Sequence, residues 1–225
     1  MDKPAHPSQR ARSATRSQEG SQRRTRTRLD TESRRAQLVE LGTRVFAEKS
    51  YDEASVDEIA ALAGISKGLL YHYFPTKRDL YLACLQAVAE ELLARADLSD
   101  APLPPLERLR AGIDAYLAFA AEHARAYLAL MRGGVGSDRE IVAYCESVRD
   151  RFVSRILTAP TSPLASVELP PLFRVVLRGW VGFAEAAAID WLARGAPDRA
   201  AVRDAIVQMA IHAFQVGGAA KLFTR

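Results

Sequence analysis

The strongest candidates for chemistry lie in one short stretch, in which cations, hydroxyls and an imidazole follow one another at helical spacing. Lys67 would place an ammonium in the first turn of a helix, and Tyr71 and Tyr73 would offer hydroxyls that reach phosphates. His72 donates a hydrogen bond when neutral and binds an anion more strongly when protonated. Lys77 would lie at the positively polarised start of the next helix, which favours a phosphate. Together these groups suit contacts with phosphates and base edges.

The same stretch contains residues that would let a helix lie in a nucleic-acid groove. Gly68 has no side chain and leaves room for the backbone to approach closely. Leu70 and Phe74 are four residues apart and would point inward together. Another interpretation is that Tyr71, Tyr73 and Phe74 are all core aromatics of a short helix. We favour the core for Phe74 and an outward position for Tyr71.

Two helices would precede this stretch. The first should span about residues 30–50, because apolar residues recur on one helical face between positions 38 and 46. Ser55 and Glu58, three residues apart, predict a capping box at the start of a second, short helix. That helix should stop at Gly64, which can adopt a left-handed conformation.

The third helix and the one after it also carry clear signals. Ser66 is placed to cap the third helix, and Pro75 should end it. Thr76 and Asp79 then predict a capping box for a long helix that reaches about Ala96. Three helices with a tight turn between the second and the third have the layout of a helix-turn-helix.

These motifs together resemble the DNA-binding domain of TetR-family repressors, over about residues 30–80. The matching segments are Val45-Phe46, Ser55–Ala60, Ala63–Ser66, Leu70–Phe74 and Lys77. The rest of the chain agrees with the family only in the number and length of its helices. The resemblance implies a repressor that binds double-stranded operator DNA as a dimer. An activator that binds DNA in the same way is the alternative.

In this family DNA is usually touched by the third helix, the start of the second helix and a lysine of the fourth. The corresponding positions are Ser55, Lys67, Gly68, Leu69, Tyr71, His72, Tyr73 and Lys77. Leu69 would be apolar and exposed, which suits contact with a thymine methyl group.

Beyond a linker rich in proline and aspartate, helical periodicity continues to the end of the chain. It predicts further helices over roughly 106–122, 124–131, 138–158, 171–194 and 198–216. The fold is therefore expected to be all-α, with about nine helices. We divide it into a disordered basic tail (1–28), a helix-turn-helix domain (29–80) and a ligand-binding and dimerisation domain (81–225).

The last two helices resemble the dimerising pair of the family. Gly179, Gly182 and nearby alanines would let helices approach closely, and Trp180 and Trp191 would share a face. The last helix has one apolar stripe, formed by Val202, Ile206, Met209, Ala213 and Val216. These residues could instead pack only within the monomer. We favour a homodimer, because a single helix-turn-helix reads too few base pairs for tight operator binding.

The resemblance also implies a pocket for an unknown small-molecule effector among the middle helices. Its candidate lining residues are Tyr116, Phe119, Tyr127, Met131, Tyr144, Val148, Phe152, Trp180 and Phe183. The possible polar determinants are Arg132, Glu146, Arg149 and Glu185. Aromatic residues at helical spacing are also common in an ordinary core, and the charged residues could form surface ion pairs of little energy.

The net charge of +4 is unevenly distributed. Residues 1–28 contain eight basic and two acidic residues, a net charge of +6, which leaves −2 for the rest of the chain. A short basic arm could contact phosphates or a minor groove, or it could be a solubilising tail. A protein that binds nucleic acid through this tail alone, without sequence preference, is therefore a rival interpretation.

Other classes of protein are disfavoured. The histidines are scattered and no Gly-rich phosphate motif follows a strand, so neither an enzyme nor a cofactor is expected. Cys84 and Cys145 match no zinc spacing and are expected to be buried thiols, so no metal is expected. Charged residues interrupt the most apolar segment, 175–192, and the first residues lack the apolar run of a secretory signal. We therefore expect a cytoplasmic protein without a membrane partner.

Overall fold

The computed structural model describes residues 31–97, 102–131, 138–158, 164 and 168–218. Within these residues the chain forms nine helices and no strand, which confirms the all-α prediction. None of the helices in this described part is both long and apolar enough to cross a membrane. The tail predicted over 1–28 lies outside it. The helices are α1 (31–48), α2 (Val56–Leu62), α3 (Lys67–Tyr73), α4 (Lys77–Ala96), α5 (Pro105–Glu122), α6 (Ala124–Met131), α7 (Arg139–Thr158), α8 (Pro171–Arg194) and α9 (Arg199–Val216).

Most of the predicted helix boundaries in the N-terminal part are confirmed. Gly64 ends the turn after α2 with a φ of 65°, in the left-handed region that glycine adopts without strain. The Ser66 side chain caps α3 by accepting a hydrogen bond from the Leu69 amide at 3.2 Å. Thr76 and Asp79 form the predicted reciprocal capping box of α4. Gly64 and the Ser66 cap therefore define the turn between α2 and α3, and the capping box defines the start of α4.

The capping box predicted at the start of α2 is wrong in one half. Ser55 does cap the helix, because its side chain accepts a hydrogen bond from the Asp57 amide at 3.2 Å. Glu58, however, takes both of its carboxylate hydrogen bonds from the Lys49 ammonium, at 2.6 and 2.8 Å. A charged partner at the end of α1 therefore replaces the expected backbone amide, and the bond ties α1 to α2.

α1, α2 and α3 share an apolar core that continues into α4. Leu38 of α1, Ile59 of α2, Leu70 of α3 and Leu80 of α4 are fully buried, and Phe74 is 2% exposed. The predicted inward positions of Leu70 and Phe74 are thus confirmed. Burying one such side chain contributes about 1.5–3 kcal/mol, so the orientation of α3 is set by packing as well as by its caps.

α4 leads from the helix-turn-helix into the C-terminal helices without interruption. Its N-terminal half packs on α1, and the helix also contacts α5, α6 and α7. Leu92 and Leu93, near its end, are fully buried. A change in the position of α4 relative to the C-terminal helices would therefore move the helix-turn-helix as well.

α8 and α9 form a closely packed pair. The Trp180 indole N–H donates a 3.0 Å hydrogen bond to the Ile206 carbonyl, which pins α8 to α9. The rings of Phe173 and Phe214 lie 5.4 Å apart between the same helices. Trp180 therefore belongs to this helix pair, and the contact satisfies its buried polar atom.

Only the N-terminal half of the apolar stripe predicted for α9 is buried within this chain. Met209 and Val216 are 45% and 69% exposed, whereas Val207, Ala210 and Phe214 are buried. The buried face is rotated from the expected one because α9 packs against both α5 and α8. A single stripe counted from the sequence cannot represent a helix that has two neighbours.

Candidate nucleic-acid interface and interior polar site

The outer face of α3 is exposed and chemically mixed. Leu69 and Tyr71 are 42% and 36% exposed, and His72 is also exposed, whereas Leu70 between them is fully buried. Tyr73 is half-buried and packs against the core. The structure therefore brings an apolar side chain, a hydroxyl and an imidazole together on the surface, while Tyr73 is turned partly inward.

Lys67 is held by an acidic residue of the neighbouring helix. Its ammonium donates a 2.9 Å hydrogen bond to Asp57 near the start of α2, and both side chains are more than half exposed. The bond to Asp57 raises the pKa of Lys67. A phosphate that binds the Lys67 ammonium must therefore displace the Asp57 carboxylate or share the ammonium with it.

Lys77 lies where the loop before α2 meets the start of α4. Its ammonium is 3.3 Å from the Asp52 carbonyl and 4.6 Å from the centre of the Tyr51 ring. The Tyr51 ring also packs edge-on against Tyr81 of α4, with the ring centres 5.0 Å apart. Lys77 is thus positioned by a cation–π contact rather than by a carboxylate, and its charge is not neutralised by an acidic partner in that contact.

Ser55 and Gly68 are the two remaining predicted contact positions. The Ser55 hydroxyl accepts from the Asp57 amide and still has a proton to donate. A Cβ atom added at Gly68 would meet only the Ser66 hydroxyl, at 4.0 Å. No neighbour among the described residues requires a glycine at position 68, so there is open space beside α3 at this position.

A second group of polar side chains lies inside the C-terminal helices. The hydroxyls of Tyr116 on α5 and Tyr127 on α6 are hydrogen-bonded to each other, and Tyr127 is fully buried. The Phe152 ring on α7 is edge-on to Tyr116, with the ring centres 6.3 Å apart. Burial is the main cause of the raised pKa of both tyrosines, which therefore stay neutral.

An ion pair accompanies the tyrosines. Arg149 on α7 donates through Nε to Glu185 on α8 at 2.6 Å, and both side chains are only 14% exposed. The same guanidinium donates to the Met131 carbonyl at the end of α6, at 3.0 Å, and to Glu146 at 2.8 Å. We call these residues, together with Tyr116, Tyr127 and Phe152, the interior polar site. It joins α5, α6, α7 and α8.

The other residues predicted to line a pocket are dispersed. Phe119 and Val148 are almost fully buried in the core, and Phe183 is 38% exposed at the surface. The Tyr144 hydroxyl is buried without a hydrogen-bond partner among the described residues, and burial raises its pKa to about 12. Arg132 lies outside the described residues. The structure thus brings together only part of the predicted set.

Comparison with known proteins decides the family. Two family models match: "Bacterial regulatory proteins, tetR family" over residues 38–84 and "Tetracyclin repressor-like, C-terminal domain" over residues 105–213. The crystal structure of a tetR-family transcriptional regulator from Streptomyces coelicolor is 35% identical, with a TM-score of 0.72, and the match covers 84% of this chain and 83% of that one. The chain belongs to the TetR family. This confirms the resemblance seen in the sequence, and the family consists of transcription regulators, which are not enzymes.

Curated TetR-family relatives match over shorter stretches. The activator FasR of Mycolicibacterium smegmatis is 32% identical over 117 residues, which cover 52% of this chain and 53% of FasR. The repressor KstR2 of Mycobacterium tuberculosis is 40% identical over 79 residues, which cover 35% of this chain and 40% of KstR2. The chain therefore spans about half, or less, of the length of these curated relatives.

Two features of this TetR-family protein were missed in the sequence. Asp57, which is not a predicted site residue, binds Lys67 on the candidate interface. Arg35 of α1 places its guanidinium 4.8 Å from the centre of the Phe74 ring, beside the end of α3. Lys67 and Asp57 are ten positions apart, and Arg35 and Phe74 are farther apart still. Neither pairing has a local sequence signal, since each depends on how two helices cross.

Proposed function

We propose that this TetR-family protein represses transcription by binding a palindromic operator as a homodimer and is released by a small-molecule effector. The observation that carries the proposal is the exposed face of α3, where Leu69, Tyr71 and His72 face outward from a helix whose other side is locked into the core. Such a helix can enter a major groove without rearranging the domain. Lys67 and Lys77 flank that face and would contact phosphates.

A homodimer is supported by exposed apolar side chains on the last two helices. These are Leu172, Val175 and Phe183 on α8 and Met209 and Val216 on α9, between 38% and 69% exposed. A group of large apolar side chains on one helix pair favours burial against another protein surface. A second copy of the same helix pair would form a four-helix interface with two-fold symmetry, which matches the symmetry of a palindromic operator.

Operator binding is tested by fluorescence anisotropy on duplexes from the protein's own promoter region, with a scrambled duplex and a salt series. Leu69→Ala should weaken binding to the specific duplex by about 5- to 100-fold, because a base contact is lost, and leave the scrambled duplex unaffected. The matched control is Leu62→Ala, an equally apolar side chain that is 58% exposed on α2 and is not a predicted contact. Equal losses in both variants, or equal affinity for both duplexes, would contradict the proposal.

The basic tail provides the rival explanation of DNA binding. Deleting residues 1–28 removes a net charge of +6, so affinity and its salt dependence should both fall. A regulator that reads DNA through α3 keeps its preference for the specific duplex after this deletion. A protein that binds only through the tail loses that preference together with its affinity.

The direction of regulation needs its own measurement. The family model for the C-terminal part is named after a repressor, and KstR2 is a repressor, whereas FasR is an activator. We expect repression, so deleting the gene should raise transcription from the promoter that the protein binds. A fall in transcription would assign the activator role instead.

We propose the interior polar site as the place where the effector binds. It combines apolar rings with a hydroxyl pair and the Arg149–Glu185 ion pair, and it joins four helices. A ligand that inserts there would have to separate some of these contacts, and would therefore shift α6 and α7. By population shift, the ligand would favour a spacing of the two α3 helices that no longer matches successive major grooves.

Effector release can be tested without knowing the effector in advance. Small metabolites that raise the melting temperature of the protein are selected first, and each is titrated into the operator complex. Compounds that act at the interior polar site should release operator, and Tyr116→Phe combined with Glu185→Gln should abolish both effects. A saturating compound that stabilises the protein through this site but leaves operator affinity unchanged would contradict the proposal.

A further inference from the structure

One arginine joins α4 and α7 at their N-terminal ends. The Arg78 guanidinium donates from Nε and Nη2 to the two carboxylate oxygens of Asp138, and Nη2 also donates to Glu140. The two Nη2 bonds are 2.8 and 2.7 Å long. We call these three residues the Arg78 fork. The side chains of Arg78 and Asp138 are 35% and 18% exposed, so the pair is partly shielded from water.

Asp138 is also fixed to the backbone of α7. Its Oδ1 atom accepts from the amides of Glu140 and Ile141, at 3.0 and 3.2 Å, in the manner of an N-cap. The Arg78 guanidinium and these amides hold the pKa of Asp138 well below its usual range, so the carboxylate stays charged. Arg78 therefore binds an acceptor that moves with α7 as one body.

The Arg78 fork lies between the two candidate sites. On the α4 side, Arg78 directly follows Lys77, which flanks the proposed DNA-reading face. On the other side, α7 begins at the fork and carries Arg149, which binds the Met131 carbonyl and Glu185 in the interior polar site. One helix thus contacts both the interior polar site and the start of α4.

We propose that the Arg78 fork sets the orientation of the helix-turn-helix on the C-terminal helices, so that movement of α7 at the interior polar site reaches α3 through Arg78. This inference rests on the proposed function, since the orientation of α3 is useful only if α3 reads DNA. Two charged helix ends are held in one register by charge-assisted hydrogen bonds that are directional. Breaking such a link is expected to change operator affinity by roughly 2- to 30-fold, because the orientation of α3 is no longer fixed.

A second arginine–carboxylate pair between α4 and α7 provides a control for the Arg78 fork. Arg151 on α7 donates to Glu90 on α4, at 2.5 and 2.7 Å, so the same two helices are joined by another two-bond arginine contact. Glu90 lies 12 positions beyond Arg78, which is about 18 Å along α4. If any ion pair between α4 and α7 oriented the helix-turn-helix, breaking either pair would have the same effect. If the Arg78 fork orients it, only breaking the pair nearest the helix-turn-helix should have an effect.

The experiment measures the distance between the helix-turn-helix and the C-terminal helices by double electron–electron resonance on the full chain. Spin labels are attached at Leu62→Cys on α2 and Ser154→Cys on α7, both exposed positions. The native thiols of Cys84 and Cys145 are buried, which favours labelling at the introduced sites. Labelled protein is diluted with unlabelled protein, so that the distances measured are within one chain.

Two substitutions break the fork, and one provides the control. Arg78→Gln removes the guanidinium, and Asp138→Ser removes the carboxylate while keeping an oxygen that can cap α7. The wild-type protein should give a single narrow distance, and both variants should lose it. The double variant should show no change beyond that of Arg78→Gln, because Asp138 acts on the helix-turn-helix only through Arg78. Glu90→Gln should keep the wild-type distance. Circular dichroism melts identify any variant that fails to fold, and Arg78→Lys, which keeps the charge, should restore part of the wild-type peak.

Wild-type distances in both fork variants would overturn the inference, and so would equal broadening in Glu90→Gln. The operator-binding assay is run on the same samples. If the fork variants lose the narrow distance but the wild-type protein shows no site-specific DNA binding, the proposed function fails while the orienting role of the fork stands. If operator binding is specific but the distances do not change, only the fork is overturned.

Discussion

Lys67 and Asp57 show how a single acidic residue could tune the proposed DNA-binding surface. Their 2.9 Å bond lies on the face that would meet phosphates, and both side chains are exposed. Asp57→Asn should therefore tighten operator binding by about two- to fivefold, because Lys67 is released and a repulsive charge is removed. It should also steepen the dependence of affinity on salt, measured by anisotropy across a salt series.

The control for Asp57→Asn is Asp150→Asn on α7. Asp150 is also exposed and bonded to an arginine, so this substitution changes the net charge of the protein equally, but away from α3. We expect the Asp150 variant to bind operator like the wild-type protein. Weaker operator binding by Asp57→Asn would instead mean that the carboxylate positions Lys67 for DNA.

The buried thiol of Cys84 should make the stability of the protein depend on pH. Burial raises the pKa of its thiol from 9.0 to about 12, so the native protein keeps the thiol neutral where an unfolded chain would ionise it. The contribution of the neutral thiol to the free energy of unfolding is intact below pH 9. It is lost as the pH rises towards 12, by about 1.4 kcal/mol per pH unit. Urea unfolding between pH 8 and pH 10 should therefore show a smaller loss of stability with pH in Cys84→Ala than in the wild-type protein. Parallel slopes in the two proteins would contradict the burial of this thiol.

At the scale of helices, the starts and ends were predictable because they depend on neighbouring residues. Gly64, Ser66, Thr76 and Asp79 each act within a few positions of their own place in the chain, and the structure confirms them. Glu58 fits the same local rule but binds Lys49 instead. The rule fails there because a cation brought near by folding outcompetes a backbone amide.

The partners of long-range contacts were not predictable. Arg78 binds Asp138, and Arg149 binds Glu185, across 60 and 36 positions, and neither pair has a periodic signal. The outward side of α3 was predictable, because Leu70 and Phe74 mark its buried side. The exposed face of α9 was not, because a helix that packs on two neighbours buries a wider and shifted stripe.

The packing of α1 against α4 depends on one glycine. A Cβ atom at Gly42 would lie 2.9 Å from the Cys84 sulfur and 3.4 Å from a Leu80 methyl carbon. Gly42→Ala should therefore destabilise the protein by about 1–3 kcal/mol through overpacking, less the gain of about 1 kcal/mol that alanine brings to a helix. In a Cys84→Ala background the clash with sulfur is absent, so Gly42→Ala should become neutral or stabilising. Urea unfolding of the wild-type protein, the two single variants and the double variant measures the effect of Gly42→Ala on stability in each background. An equal loss of stability in the two backgrounds would contradict the contact between position 42 and the Cys84 sulfur.

Across the described helices, the two candidate sites lie in different parts of one framework. α4 leads out of the helix-turn-helix, and α7 contacts α4 at one end and the interior polar site farther along. Neither site needs to be close to the other for coupling, since helices transmit displacement along their length. In the proposed homodimer, two-fold symmetry would come from α8 and α9, which expose several large apolar side chains.

The proposed dimer interface on α8 and α9 should not tolerate a buried charge. Val175 on α8 is 68% exposed, so a charge placed there is harmless to a monomer but would be buried in the proposed dimer interface. Val175→Glu should therefore sediment as a monomer in analytical ultracentrifugation and lose about 100-fold or more in affinity for a palindromic operator, while half-site binding stays weak and unchanged. Val142→Glu, at a 46% exposed position on α7, is the matched control and should remain dimeric. A Val175→Glu protein that still sediments as a dimer would place the interface elsewhere, because an unpaired carboxylate in the centre of an apolar contact is too costly to be tolerated.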